Sequence, residues 1–406
     1  MKLSLLFFIV LIGINVHSQE RDTLKVMSYN LLNFPVISPE RIDTLKEILS
    51  YVRPDIFMVC ELTSGAGGND ILFNALNEDG VSSYDMSDYV SGPDTQNQLY
   101  FNSDKLRLAD QNEISTVLRD INEYVLYYNN IDIATTLDTT FFYIYVCHLK
   151  ASMGFEDQRN TEITALKNYL DTRPSAENII IGGDFNFYGS DTEPAWNTLL
   201  TGGDVIIKDP ITLPGHWHAD AGFAYVHTQS TRTVSFDSGA FGGMDDRFDF
   251  IFVGEDLKNY SNDAIYIDDS YRAIGQDGLH YNNALIDSPV NTSEPSDIIS
   301  ALYHMSDHLP VYLEIEVLKE GAGGAEELLG SFNAFYDTNL DQIEISDLNL
   351  TDGEQTKFLI YSTTGQLMDS IAGDANTTLV DTRALVSGSY ILKMEGHVSA
   401  FRFVKP

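Results

Sequence analysis

The 406-residue chain carries 60 Asp and Glu against 24 Lys and Arg, a formal net charge of −36 at pH 7, with 43% hydrophobic and 11% aromatic residues. That composition supplies a sizeable core, and the length suits one large domain with a smaller one beside it. So acidic a surface repels polyanions, which excludes a protein that grips duplex nucleic acid through basic stripes; it also keeps an exported protein soluble.

Residues 1–18 read as a signal peptide. Lys2 gives the positive start, Leu3 to Ile14 is apolar but for Ser4 and Gly13, and Val16-His17-Ser18 offers a cleavage site before Gln19. The apolar run is too short for a comfortable membrane span, and no later stretch approaches ~20 apolar residues, so no integral segment is expected in the mature chain. From residue 22 to about 319, apolar strands alternate with amphipathic helices. Ser38-Pro39 suits an N-cap followed by Pro at the first helical position, with Ile42, Leu45, Leu49 and Val52 then recurring at helical spacing. Asp55 to Glu61 is nearly all apolar, as a strand buried on both faces should be. Phe141–Cys147, Asn178–Ile181, Phe248–Val253 and Val311–Val317 read as further strands, and Gln158–Leu170 as a helix. This pattern predicts an α/β sandwich with helices covering sheets. Between Tyr188 and Asp245 regularity fades into a long loop. Cys60 and Cys147, the two cysteines, end two of the strand runs; they suit either an oxidised pair or two buried thiols.

Residues 320–330 form a Gly-rich linker, and residues 331–406 read as a small all-β sandwich module with short alternating strands such as Lys357–Tyr361 and Tyr390–Met394.

Polar residues capable of metal binding or acid–base work recur at the ends of the buried strands. Asn30, Glu61, His148, Asp184 with Asn186, and Asp307 with His308 all hold such positions, where α/β cores gather their sites. Their types suit one task. Mg²⁺ takes few carboxylates and keeps waters, a role for Glu61 and Asp307. A further carboxylate can orient or deprotonate a water, a His can protonate a leaving oxygen, and Asp249 can fix the tautomer of that His. Asn side chains are neutral donors for phosphate oxygens.

In this order the segments Val26–Leu31, Pro54–Glu61, Leu99–Leu106, His148-Leu149-Lys150, Gly183-Asp184-Phe185-Asn186, Arg247–Ile251 and Ser306–Val311 resemble the endonuclease/exonuclease/phosphatase superfamily, deoxyribonuclease-I-like enzymes among them. The resemblance spans roughly residues 24–317 and implies a four-layer α/β/β/α sandwich. It implies that Glu61 binds Mg²⁺ (Mn²⁺ or Ca²⁺ as substitutes) with help from Asn30 and Asp307. Asp184 would activate the nucleophilic water. Asn186 and Asn30 would hold phosphate, His308 oriented by Asp249 would meet the scissile phosphate, and His148 would be a second catalytic imidazole. The departure is Cys60, where the family usually has Gln. Arg119 has poorly matching surroundings and is left out of the site.

Other residues have plainer expectations. Lys150 reads as a solvated surface residue, His216, Trp217, His218 and His227 as packing for the loop, and Arg247 as a salt-bridge partner of Asp245 or Asp246. Segments Tyr361–Leu367, Leu385–Lys393 and Phe403–Lys405 resemble a type A sorting domain of type IX secretion. That implies a secreted or surface protein, passed to the type IX machinery and across the outer membrane. The expected activity is a secreted, metal-dependent phosphodiester hydrolase, foremost an endonuclease acting on DNA or RNA with modest affinity, as a monomer. Alternatives are a sphingomyelinase-like lipid phosphodiesterase, a phosphatase on a small molecule, or an inactive surface binding protein.

Overall fold

Segments that are apolar at nearly every position become central strands, because both of their faces are covered. The structure, a computed structural model, describes residues 20–319 apart from 93, 131–132, 134–138, 174–175 and 260–261. It further describes 333–337, 340–346, 356–362, 367–373, 378–394 and 400–405. The expected signal peptide and the linker at 320–330 lie outside the described residues.

The strands of the large domain are β1 (Arg21–Phe34), β2 (Ile56–Leu62), β3 (Tyr84–Met86), β4 (Gln96–Asn102), β5 (Leu106–Ile114), β6 (Ile121–Tyr128) and β7 (Phe141–His148). They continue as β8 (Ile179–Asp184), β9 (Ile207–Lys208), β10 (Asp249–Gly254), β11 (Ala264–Tyr266), β12 (Arg272–Ala273) and β13 (Val311–Leu318). The helices are α1 (Arg41–Val52), α2 (Gly65–Ile71), α3 (Glu156–Leu170), α4 (Pro194–Thr201) and α5 (Ser296–Met305). One sheet runs β11-β13-β1-β2-β4-β3 with β12 also on β13, and the other runs β5-β6-β7-β8-β10-β9.

The alternation of side chains along each strand sorts them into three apolar layers. Leu24, Val26, Ile56 and Met58 of the first sheet meet Leu126, Ile144, Ile180 and Ile251 of the second. On the outer face of the first sheet, Met27, Phe57 and Tyr100 pack against Leu45 and Ile48 of α1 and Leu302 and Met305 of α5. On the outer face of the second, Ile179, Ile181 and Phe250 pack against Ile163 and Leu166 of α3 and Trp196 and Leu199 of α4. Two sheets face to face with helices outside make a four-layer α/β/β/α sandwich, the α/β sandwich of the sequence pattern in the layering that the resemblance implied. At about 1.5–3 kcal/mol for each fully buried large apolar side chain, these layers supply most of the driving force.

Local details differ from the sequence expectation. Helix α1 starts at Arg41: Ser38 has φ +50° and its hydroxyl donates to Asp237 Oδ1 at 2.7 Å, so it caps no helix. Strand β7 extends through His148, and α3 opens at Glu156. The stretch from 188 to 245 is not wholly irregular, since α4 begins there with Pro194 in its first turn. Both cysteines are free and buried, with the Cys60 thiol against the Cys147 carbonyl at 3.3 Å. Among the described residues no helix is long and apolar enough to cross a membrane.

The C-terminal unit has β14 (Asn333–Asp337), β15 (Gln342–Ser346), β16 (Thr356–Ser362), β17 (Leu367–Gly373), β18 (Thr378–Asp381), β19 (Gly388–Met394) and β20 (Ala400–Lys405). They form sheets β14-β15-β18 and β17-β16-β19-β20. Ile343, Ile345 and Val380 of one sheet and Phe358, Ile360, Leu392 and Phe403 of the other share one core, a small β-sandwich.

Candidate active site

Register brings the chemistry together. Strands β7 and β8 are parallel with His148 opposite Asp184, and β8 is antiparallel to β10 with Asp184 opposite Asp249. Three neighbouring strands thus present His148, Asp184 and Asp249 in one row. In the facing sheet, β1 and β2 are parallel with Asn30 opposite Cys60, so Asn30 and Glu61 share an edge. The Gly182-Gly183 pair is required for this closeness. A Cβ on Gly182 would lie 2.5 Å from Met58 Cε across the sandwich, and one on Gly183 (φ +142°) would lie 1.8 Å from the Cys147 carbonyl.

Asn30 bridges the two sheets. Its amide nitrogen donates to Glu61 Oε1 and Asp184 Oδ2, each at 3.1 Å, while its carbonyl accepts from Leu32 N–H at 3.0 Å. Expected as a metal ligand and phosphate contact, it is placed here as a donor between two acids. Glu61 also accepts from Asn33 N–H at 2.9 Å. Glu61 and Asn186 hold left-handed backbone, φ +60° and +52°, a strain that persists only where the surroundings enforce it. Asn186 N–H donates to Asp184 Oδ1 at 3.0 Å and its amide to Leu149 O at 3.3 Å.

His308 is buried, with Nδ1 2.7 Å from Asp249 Oδ2 and Nε2 3.8 Å from Asp184 Oδ2. The bond expected between Asp249 and His308 is present. Burial alone lowers the imidazole pKa, but Asp249, Asp307 and Asp184 outweigh it and hold it well above the usual range. His148, whose Nε2 lies 3.7 Å from Glu61 and 3.6 Å from Asp184, is pushed well below that range by burial, with Arg119 and His308 adding to the effect. The surroundings thus drive the two imidazoles in opposite directions, His308 toward the cation and His148 toward the neutral form, the separation an acid–base pair needs. Burial, then Asp249 and Glu61, raise the Asp184 carboxyl to about 7 against the pull of His308, and burial raises Glu61.

Glu61, His148 and Asp184 offer ligand atoms within 4.8 Å of one another, and Asp307 stands outside that group. Asp307 instead accepts from Ala240 N–H at 2.6 Å and from the Gln229 amide at 3.3 Å. The three-residue group fits a divalent cation. Two carboxylates are crowded together at raised pKa, which a cation would relieve, and the neutral His148 has its lone pair available.

Gln229 is a site residue that the sequence reading missed. Its Nε2 lies 2.6 Å from His308 Nε2, a placement that suits an N–H donating to an unprotonated ring nitrogen. The carboxylates around His308 favour its cationic form; with Nε2 protonated the Gln229 amide turns its oxygen to the ring and gives up its contact with Asp307. No local signal marks a lone Gln in a Thr- and Ser-rich loop. Its neighbour Thr228 fixes the segment by accepting from Phe248 N–H at 3.1 Å and Asp249 N–H at 3.2 Å.

The remaining candidates resolve plainly. Lys150 Nζ sits over the Phe155 ring at 4.1 Å and Arg119 pairs with Asp94 at 2.9 Å. Trp217 and His227 are buried, and His216 is exposed beside Asp191 at 3.3 Å. His218 Nδ1 contacts Asp246 Oδ1 at 2.7 Å, and with Asp245 these form a second group of ligand atoms within 4.8 Å. Arg247 corrects its expectation. It pairs with neither Asp245 nor Asp246 but, fully buried, with Asp209 through contacts of 3.1 and 2.9 Å.

No protein-family model matches this chain, and no curated protein does. Among solved structures, it is similar to D. rerio TDP2 complexed with single strand DNA product, at 15% identity and TM-score 0.48, over 72% of this chain and 98% of that one. An endonuclease/exonuclease/phosphatase family protein from Bacteroides thetaiotaomicron is similar at 16% and 0.46, over 73% and 99%. The human Nocturnin catalytic domain with bound sulfate anion is similar at 15% and 0.42, over 73% and 97%. Likeness of this degree carries no argument about chemistry, which rests on the side chains above.

Proposed function

We propose that the chain is a secreted hydrolase of phosphodiesters that works with a divalent cation, Mg²⁺ first, and that its substrate is nucleic acid. The observation that carries this reading is the convergence of Asn30, Glu61, His148, Asp184 and the Asp249–His308 pair at one end of the sandwich. Glu61 would anchor the cation, with His148 and Asp184 in reach of the same point. Bound there, the cation would offset charge on a phosphate and acidify a water.

The protein groups have complementary tasks. Asp184, whose carboxyl burial lifts to about 7 without a cation, is the buried acid placed to orient a water and take its proton. His308, cationic and held by Asp249, presents Nε2 as the donor to a phosphate or leaving oxygen. Asn30 and Asn186, both buried, are the neutral donors that keep Asp184 in place. With −36 of net charge, affinity for nucleic acid comes from the site and not from the surface, which favours single strands and nicked substrates over tight duplex binding.

The apolar N-terminus and the C-terminal β-sandwich, with its sorting-domain resemblance, support export by the type IX route. A second reading, a phospholipid phosphodiesterase, is favoured by exposed Val234 and Phe241 on the loop whose Ala240 reaches Asp307.

Purified protein incubated with plasmid, single-stranded DNA, RNA, sphingomyelin vesicles and an inositol phosphate, with Mg²⁺ or chelator, separates these readings. Cleavage of nucleic acid that needs Mg²⁺ supports the first. Hydrolysis of the lipid alone replaces it with the second, and hydrolysis of nothing removes both.

A further inference from the structure

Two buried arginines converge on the segment that carries Asp307 and His308. Arg232, 0% exposed, donates from Nε to Tyr303 O and from one terminal nitrogen to His304 O, both at 3.2 Å. Arg41, 4% exposed, donates to Met305 O. The last three carbonyls of α5, which a helix leaves without internal partners, are thus taken by two guanidinium groups. Beyond them the chain turns directly into Ser306-Asp307-His308.

The same side chains hold the neighbouring segments. Arg41 also donates to Leu31 O at 3.1 Å and to Leu32 O and Ile37 O at 2.7 Å, the stretch that follows Asn30 and whose Asn33 N–H binds Glu61. Arg232 also donates to Phe236 O at 3.2 Å and lies 3.7 Å from that ring, on the loop whose Ala240 N–H binds Asp307. Burial lowers the pKa of both arginines, and among the described residues neither has a carboxylate within the 4.0 Å of an ion pair. Helices usually end on a glycine at far less cost than two desolvated charges.

We propose that Arg41 and Arg232 are positioning residues of the active site, fixing Asp307 and His308 relative to Asn30 and Glu61. This rests on the hydrolase reading. Arg41→Lys, Arg232→Lys and the double variant test it, beside Leu302→Ala, which removes buried volume from α5 without touching those carbonyls. Steady-state cleavage is measured where all variants are folded. Each Lys variant should lower kcat about tenfold or more with KM within about threefold, since small misplacements of catalytic groups are costly. The double variant should lose little more than the worse single one, because both act on one segment. Leu302→Ala should melt earlier yet keep kcat within about twofold.

Lys variants that keep kcat, or lose it only as Leu302→Ala does, overturn the proposal. If Arg232→Lys does not fold, Arg41→Lys decides alone by the same criterion. A wild-type protein without hydrolytic activity removes the hydrolase reading, and the positioning is then read from the low-field proton resonance of His308 Nδ1–H bonded to Asp249. The proposal expects that signal in the wild type and in Leu302→Ala but not in the Lys variants; its persistence in them overturns it.

Discussion

Replacing Asp184 with Asn should make the metal-free protein more stable while removing its activity. Asp184 is 2% exposed, and burial, with Asp249 and Glu61, lifts its carboxyl from 3.8 to about 7. A carboxyl whose folded pKa exceeds its unfolded one makes its full contribution below the unfolded pKa. That contribution is lost as pH rises from 3.8 through about 7. The loss by pH 8 is about 4 kcal/mol for an isolated group, and about 2 kcal/mol once Glu61, also raised by burial, shares the titration. At roughly 2–4 °C per kcal/mol for a domain of this size, Asp184→Asn should melt about 4–8 °C above wild type at pH 8 in chelator. The two curves should converge near pH 4. Saturating Mg²⁺ should raise the wild type by a similar amount and the variant by less, through binding to the folded state. Calorimetry across pH, with and without chelator, reads all of this. A variant that melts below wild type by the same margin at pH 4 and pH 8 would refute the reasoning.

Gly183→Ala should destabilise severely, by more than about 3 kcal/mol, since its Cβ falls 1.8 Å from a backbone carbonyl at φ +142°; a wild-type denaturation midpoint contradicts this. Asp249→Asn should lower kcat about 10²–10⁴-fold with circular dichroism unchanged, as loss of the charge facing His308 at 2.7 Å removes the support for its cationic form. Cys60 and Cys147 should react with a thiol reagent only after unfolding, both per chain, because burial raises both thiols and no disulfide joins them; no thiol in denaturant contradicts the structure. His280→Gln should destabilise the protein below pH 6 more than above pH 9. Asp277 and two carbonyls outweigh burial and raise the imidazole from 6.5, so its contribution is complete below 6.5 and lost as pH rises through the folded value.

Much of the sandwich was legible because its central strands, such as Ile56–Leu62, are apolar on both faces, a pattern a surface element cannot sustain. The site was legible for the same reason: polar residues that interrupt such runs at their ends, Glu61, His148 and Asp184, have one edge to occupy. What escaped depends on long-range contacts. Arg247 finds Asp209, 38 residues away, and adjacent Asp245 and Asp246 were the only local guide. Gln229 and the two site arginines act through contacts with carbonyls and side chains that no periodicity encodes. Helix α4 was within reach, since Pro194 at its start and Trp196 with Leu199 on one face form a recognisable signal. Asp307 lies near enough to Glu61 to act on its charge, but its donors, Ala240 N–H and the Gln229 amide, come from a loop that no local pattern ties to it.

The central claim is most directly tested by turnover of a single-stranded DNA oligonucleotide by wild type, Asp184→Ala and Glu61→Gln, each with Mg²⁺ and with chelator. The account predicts cleavage by wild type with Mg²⁺, and a loss of about 10³-fold or more in chelator and in both variants. Cleavage that survives chelator and both substitutions would contradict it.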